Sequence, residues 1–141
     1  MNLAKAMQRT FGGLNRILYR ASGGKVGGTM KGAPILLLTT SGRKSGKPRT
    51  MPLLYLEEDG RLVVVASSGG SPGHPAWFLN LQAHPDVDVQ VGSEHRRLQA
   101  RRAGIDEAER LWPAILERAP AYGKYRAKTT REIPLVLLEP R

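Results

Sequence analysis

The chain has 141 residues, enough for one domain with a buried core, and its 40% hydrophobic and 24% charged residues are a globular composition. It contains no Cys, which excludes disulfides, thiolate zinc sites and thiol nucleophiles, and no apolar run approaches the ~18 residues of a membrane span. The net charge of +10 lies wholly upstream: residues 1–56 carry ten Lys and Arg and no acid, whereas residues 57–141 carry twelve of each sign.

In chain order, the first element is a helix over residues 3–20. Leu3, Met7, Phe11, Leu14 and Leu18 recur at steps of four, four, three and four, with Lys5, Arg9, Arg16 and Arg20 beside the stripe. Such a face docks on its own domain, which is the favoured expectation, or lies on a membrane surface. SGGKVGGTMKG follows as a flexible connection, so residues 1–32 read as an N-terminal helix with its linker and residues 33–141 as the folded domain. From Pro34 the pattern turns to short strands. Residues 35–40 are a continuous apolar run, residues 51–56 a second strand whose Pro52 marks an edge or bulge, and residues 62–67 return from a tight turn at Asp59-Gly60. Val87, Val89 and Val91 alternate with Asp88 and Gln90, residues 95–103 pair with them through Gly92-Ser93, and residues 133–138 form the last strand. Two helices interrupt the strands. One opens with Pro75 at its first position and stops before His84-Pro85. The other is expected to start with a capping box between Asp106 and Glu109, and Pro113 should kink or split it before Arg118. About six hairpin-spaced strands with helices at the margins predict a mainly β, antiparallel barrel rather than a doubly wound sheet.

Between the first two strands stands TTSGRKSGKPRT, in which Arg43, Lys44, Lys47 and Arg49 place four cations within seven residues. It is not a nucleotide-hydrolysing P-loop: three residues, not four, separate Gly42 from Gly46, and Pro48 rather than Ser or Thr follows Lys47. The residue types do suit capture of an anion. Gly42 and Gly46 permit turn conformations that aim backbone N–H groups at one point, the two Arg offer planar forks to phosphate oxygens, the two Lys add point charges, and Ser41 and Ser45 add hydroxyls. A second glycine-rich loop, SSGGSPGHP from Ser67, ends a strand and opens the helix of Trp77 and Asn80. Its backbone donors and helix N-terminus suit a further anionic or carbonyl-bearing part of a ligand. The three His are scattered without zinc-ligand spacing, so no metal site is expected.

Three blocks in order, TTSGRKSGKPRTMPLLYL, VVVASSGGSPGHPAWFLNLQAHPDVDVQVG and YGKYRAKTTREIPLVLLEP, resemble the deazaflavin-dependent nitroreductases, also described as F420H2-dependent quinone reductases, over roughly residues 10–140. The resemblance implies a split β-barrel related to flavin-mononucleotide-binding oxidoreductases. It implies coenzyme F420, a deazaflavin with a ribityl phosphate and a polyglutamate tail, as cofactor. On this pattern Ser41, Gly42, Arg43, Lys44, Ser45, Gly46, Lys47 and Arg49 hold the anionic arm. Pro52, Leu53 and Leu54 lie along the ring system, while Ala66, Ser67, Ser68 and Gly69 with Ala76, Trp77 and Asn80 close the other side. The resemblance also places Ser67, Tyr122 and Tyr125 at the reacting end. Ser67 would hydrogen-bond a nitro or carbonyl oxygen, and the tyrosines, three apart, would wall a quinone or nitroaromatic pocket. Some family members carry a further tyrosine where this chain has Lys128, a departure that bears on nitroimidazole substrates. The cofactor's two-electron chemistry asks the protein for orientation and desolvation, so no catalytic dyad is expected, and none is visible.

Two alternatives use the same basic half. An FMN-dependent oxidoreductase on the same barrel would need the phosphate loop but not so long a basic lead-in. A nucleic-acid-binding domain is less favoured, since residues 1–56 offer only Phe11, Tyr19 and Tyr55 for stacking, and no nucleic acid is expected as partner. The protein is expected to be cytoplasmic, peripheral at the inner face of the cell membrane if its N-terminal helix meets a bilayer. A homodimer is the assembly that related barrels suggest.

Overall fold

The apolar run after Ala33 forms the central strand because both of its faces are covered. In the computed structural model, which describes residues 29–30 and 33–140, β2 (Ala33–Ser41) sends Leu36 and Leu38 into one core cluster and Ile35 and Leu37 into another. Antiparallel partners flank it: β3 (Pro48–Leu54) on one side, with Leu38 opposite Met51, and β6 (Asp86–Val91) on the other, with Leu38 opposite Val89. β1 (Thr29–Met30), β4 (Leu56–Glu58), β5 (Arg61–Val65), β7 (Glu94–Arg102) and β8 (Leu135–Pro140) complete the sheet. The helix expected over residues 3–20 lies outside the described residues.

Hydrogen-bonded neighbours run β3-β2-β6-β7-β8-β5-β4, with β1 also paired to β2. β3 and β4 therefore stand at opposite ends of the sheet, yet only Tyr55 separates them in the chain. That one-residue link makes the sheet curl until its ends meet, which is the split barrel that was expected. It also corrects the strand count. Residues 51–56 are not one strand, because at Tyr55 the chain leaves β2 and joins β5; this and the two-residue β1 make eight strands among the described residues rather than six. Pro48 and Pro52 both fall on β3, which pairs only with β2, the edge position where a missing N–H does least harm.

The period-2 alternation sorts side chains between two layers. Leu62 and Val64 of β5, Val87 and Val89 of β6 and Val136 and Leu138 of β8 point inward, where α1 (Ala76–Ala83) adds Trp77, Phe78 and Leu81. Pro75 is the residue before α1 rather than its first residue. Val63, Val65, Leu135 and Leu137 point outward and are covered by Leu111 and Ile115 of α2 (Ile105–Arg118). α3 (Ala121–Lys128) follows, and a single 3-10 turn, Ser68–Gly70, leaves β5.

Two helix expectations change. Pro113 does not split α2. A Pro inside a helix costs about 3 kcal/mol, and burial of Leu111 and Ile115, which flank it, is of the same order at roughly 1.5–3 kcal/mol each. The back-reaching cap is made by Glu107, not Glu109: α2 starts two residues earlier than the Asp106 signal suggested, and the Gly104 N–H donates to Glu107 Oε1 at 2.9 Å.

Glu107 also joins an ion-pair network on the outer face. Arg101 donates to both Glu107 carboxylate oxygens at 2.8 Å and to Glu139 Oε1 at 2.7 Å, while Arg61 lies 3.5 Å from each acid. The Arg101 hydrogen bonds, then the Gly104 N–H, hold the Glu107 carboxyl at about 2, below its ordinary value. A depressed carboxyl stabilises the fold above its unfolded pKa and ceases to as pH falls through the folded one. Urea unfolding between pH 6 and pH 2 should therefore show stability falling below about pH 4.5, with a shallower acid slope in Glu107→Gln. Equal slopes in the two proteins would contradict this assignment.

Candidate functional site

β2 and β3 pair as far as Ser41 opposite Pro48, so residues 42–47 are the hairpin connection. The loop closes on itself: the Gly42 N–H donates to the Lys47 carbonyl at 2.8 Å, the Gly46 N–H to the Gly42 carbonyl at 2.8 Å, and the Lys47 N–H to Ser45 Oγ at 3.2 Å. The two glycines differ in what they allow. A Cβ on Gly42 would stand 2.7 Å from Ser45 Oγ, and Gly46 has φ +72°.

A second element pins this loop from inside. Asn80 of α1 is buried; its Oδ1 accepts the Arg43 N–H at 3.0 Å and its Nδ2 donates to Thr40 Oγ1 at 3.2 Å. The backbone donors of Gly42, Arg43, Gly46 and Lys47 thus have partners inside the protein. Among the described residues, the N–H groups of Lys44 and Ser45 have no protein acceptor. Arg43, Lys44, Lys47 and Arg49 are exposed, and among the described residues none has an acidic partner, whereas Arg61, Arg101 and Arg110 are all ion-paired. Unneutralised like charges this close repel one another, and an anion relieves that repulsion.

A cavity of about 610 Å³ lies between this loop and α1. Gly42, Arg43, Lys44, Ser45 and Arg49 give it a basic wall, and Met51, Pro75, Ala76 and Trp77 an apolar one, with Asn80 and Ser68 completing the lining. Trp77 is 4% exposed and sits edge-on to Phe78 with ring centroids 6.4 Å apart, so it is both core and cavity wall. Together these walls can hold a ligand that is anionic at one end and flat and apolar at the other.

The other residues that the resemblance implicated are distributed differently. Ser41, at the end of β2, and Gly46 and Lys47 of the loop do not line the cavity. Along β3, Leu53 packs on the interior core and Leu54 on Ile35 and Leu37, and Pro52 stands opposite Leu37. Ala66 is buried in the core, Ser67 is buried, and Gly69 turns the chain at φ +64°, so that of residues 66–69 only Ser68 lines the cavity. Tyr122 and Tyr125 share a face of α3, ring centroids 5.8 Å apart, but pack on the outer cluster with Leu111 and Ile115 and do not line the cavity. Burial pushes the Tyr122 phenol up to about 12. Tyr125 approaches the site through its backbone, since a Cβ on Gly70 would lie 2.8 Å from its carbonyl oxygen. Tyr55 packs on the barrel core, as its strand-end position suggested.

Sequence reasoning missed Met51, Pro75, Thr40 and, most consequentially, Arg131. The Arg131 guanidinium donates to the carbonyls of Ser67 at 2.7 Å, Ser71 at 3.0 Å and Ala66 at 3.3 Å, and lies 3.2 Å from His74 Nδ1. Burial first, then Arg131 and Arg102, lower the His74 pKa, which favours the neutral ring. No local pattern marks Arg131, because its partners lie some sixty residues upstream.

A split barrel whose first hairpin carries unpaired cations over an apolar-walled cavity defines a binder of an anionic, flat ligand. The comparisons with known proteins make that class specific. Residues 14–140 match the family described as F420H(2)-dependent quinone reductase. Over 149 residues, covering all of both chains, the protein is 36% identical to an F420H(2)-dependent quinone reductase of Mycobacterium tuberculosis strain H37Rv. A solved structure described as an F420-H2 dependent reductase is 44% identical, with 75% of this chain and 94% of that chain covered and a TM-score of 0.70. Another, described as a domain-swapped dimer, is 40% identical, with 90% and 94% covered and a TM-score of 0.71. The chain belongs to the F420H2-dependent quinone reductase family. That membership bears out the resemblance and decides for the deazaflavin over FMN as cofactor. Among the described residues no helix is long and apolar enough to cross a membrane.

Asn80→Ala should leave the Arg43 N–H and the Thr40 hydroxyl without their partner. The expected result is a loss of about 1–3 kcal/mol in stability and faster hydrogen exchange at the Arg43 amide, with Asn80→Asp keeping the amide protected. Unchanged exchange in the Ala variant would contradict the pinning role.

Proposed function

We propose that this protein is an F420H2-dependent reductase that passes a hydride from the reduced deazaflavin to a quinone, nitroaromatic or similar electrophile. The carrying observation is the set of exposed cations without acidic partners that face a cavity with apolar walls. Arg43, Lys44 and Arg49, with the Lys44 and Ser45 N–H groups and the Ser45 hydroxyl, would hold the anionic arm. Lys47, outside the lining, would add to the field that draws a polyanion in. Met51 and Trp77 would bound the ring, and Pro75 and Ala76 would exclude water from its edge.

When bound, the reduced deazaflavin would supply two electrons as one hydride and release its ring N–H proton to solvent, and a quinone would take that hydride with a solvent proton to become the hydroquinone. The chain's part is orientation and desolvation. Ser67, Tyr122 and Tyr125 fit this scheme as the frame behind the Ser68–Gly70 turn, whose Ser68 lines the cavity. The solved relative described as a domain-swapped dimer supports a homodimer here. A lipid-soluble quinone acceptor would give the stripe at residues 3–20 reason to touch a membrane surface.

Lys44→Ala and Arg49→Ala should each weaken F420 binding about tenfold or more, as expected for a lost charge-assisted contact, with no fall in thermal midpoint because both side chains are exposed. Fluorescence titration of the purified protein checks this. Full affinity in the double variant, or tight binding of FMN and none of F420, would overturn the reading.

A further inference from the structure

Ser68 carries two locally unfavourable features. Its φ is +48°, a left-handed conformation costly for any residue with a Cβ, and it opens a run of three such residues with Gly69 at +64° and Gly70 at +80°. Its hydroxyl is also buried with no hydrogen-bond partner, the only such side-chain oxygen or nitrogen among the described residues. A buried polar atom without a partner is destabilising, because it has given up its bonds to water for nothing. Yet the same residue lines the cavity.

The turn is held in this conformation from behind. Arg131 grips the Ala66, Ser67 and Ser71 carbonyls, spanning the turn on both sides, and Gly70 is wedged against the α3 backbone at Tyr125. Strained residues persist only where their surroundings over-determine them, and they concentrate where a ligand is met. The geometry points to Ser68, rather than its neighbour Ser67, as the hydroxyl that hydrogen-bonds the carbonyl or imide edge of a flat heterocycle in the cavity, with Arg131 as the residue that positions it. Rotation about the Ser68 Cα–Cβ bond exchanges the unpartnered position for the ligand's acceptor or donor. This rests on the reading that the cavity receives the F420 ring, and it names the side chain that reads the ring's polar edge.

The test uses the full chain with F420 as probe, measuring the ligand-free thermal midpoint and the dissociation constant separately. Ser68→Ala should leave the midpoint unchanged or raised, since no protein hydrogen bond is lost, and should weaken F420 binding about fivefold or more. Ser68→Gly should raise the midpoint further by relieving φ, with the same loss of affinity. In an Arg131→Lys background, which lowers the midpoint, Ser68→Ala should no longer change the affinity. Ser68→Ala with unaltered affinity overturns the ligand role, whether or not the midpoint moves. A full effect persisting beside Arg131→Lys overturns the positioning role. A parent protein that does not bind F420 overturns the functional reading itself, a result distinct from either.

Discussion

Two hydrogen bonds from one buried amide join the parts of this site. Asn80 receives the Arg43 N–H and donates to Thr40, so helix α1, the end of β2 and the basic hairpin loop are tied together. Since α1 also carries Trp77 and Pro75 precedes it, that side chain ties the basic wall to the part of the apolar wall that α1 supplies, beside the packing of Trp77, Phe78 and Leu81 in the core. An exposed ion pair could not do this, because it contributes at most about 1 kcal/mol and tolerates many geometries. A buried amide with both ends paired tolerates few.

Charge then gives the positioned loop its use. The acids of this chain all follow residue 56, and in the fold Glu58, Glu107 and Glu139 are engaged by Arg110, Arg101 and Arg61 on the outer face. The cations of the first hairpin are left without counter-charges among the described residues. The uneven distribution along the sequence thus becomes an uneven distribution in space, with paired charges against α2 and unpaired ones at the cavity. An anionic ligand arm completes the balance there without displacing an internal salt bridge.

Features written in short windows were legible. Asp59 and Gly60, at φ +51° and +76°, make the tight turn that their dipeptide signals, and the Val87, Val89 and Val91 alternation became half-buried β6. The basic loop was legible because its residue types are crowded together. Contacts between distant residues were not: Asn80 meets partners 37 and 40 positions away, and Arg131 closes a loop 60 to 65 positions away. The cap of α2 was misplaced by a related limit. Gly104 has no side chain to announce a cap, so the eye falls on Asp106. Resemblance supplied Ala66, Ser67, Ser68 and Gly69 as a block, but only backbone geometry sorts the one that lines the cavity from those that face the core. It likewise turned Tyr122 and Tyr125 toward α2, where apolar neighbours cover their rings.

The dependence of binding on the ligand's negative arm is the most direct test. Dissociation constants of F420 and of the bare 8-hydroxy-5-deazaflavin chromophore, which lacks phosphate and glutamates, can be compared across ionic strength. Charge capture by the first hairpin predicts that F420 binds at least about tenfold tighter at low salt, with the gap narrowing as salt rises. Equal affinities at every ionic strength would contradict it.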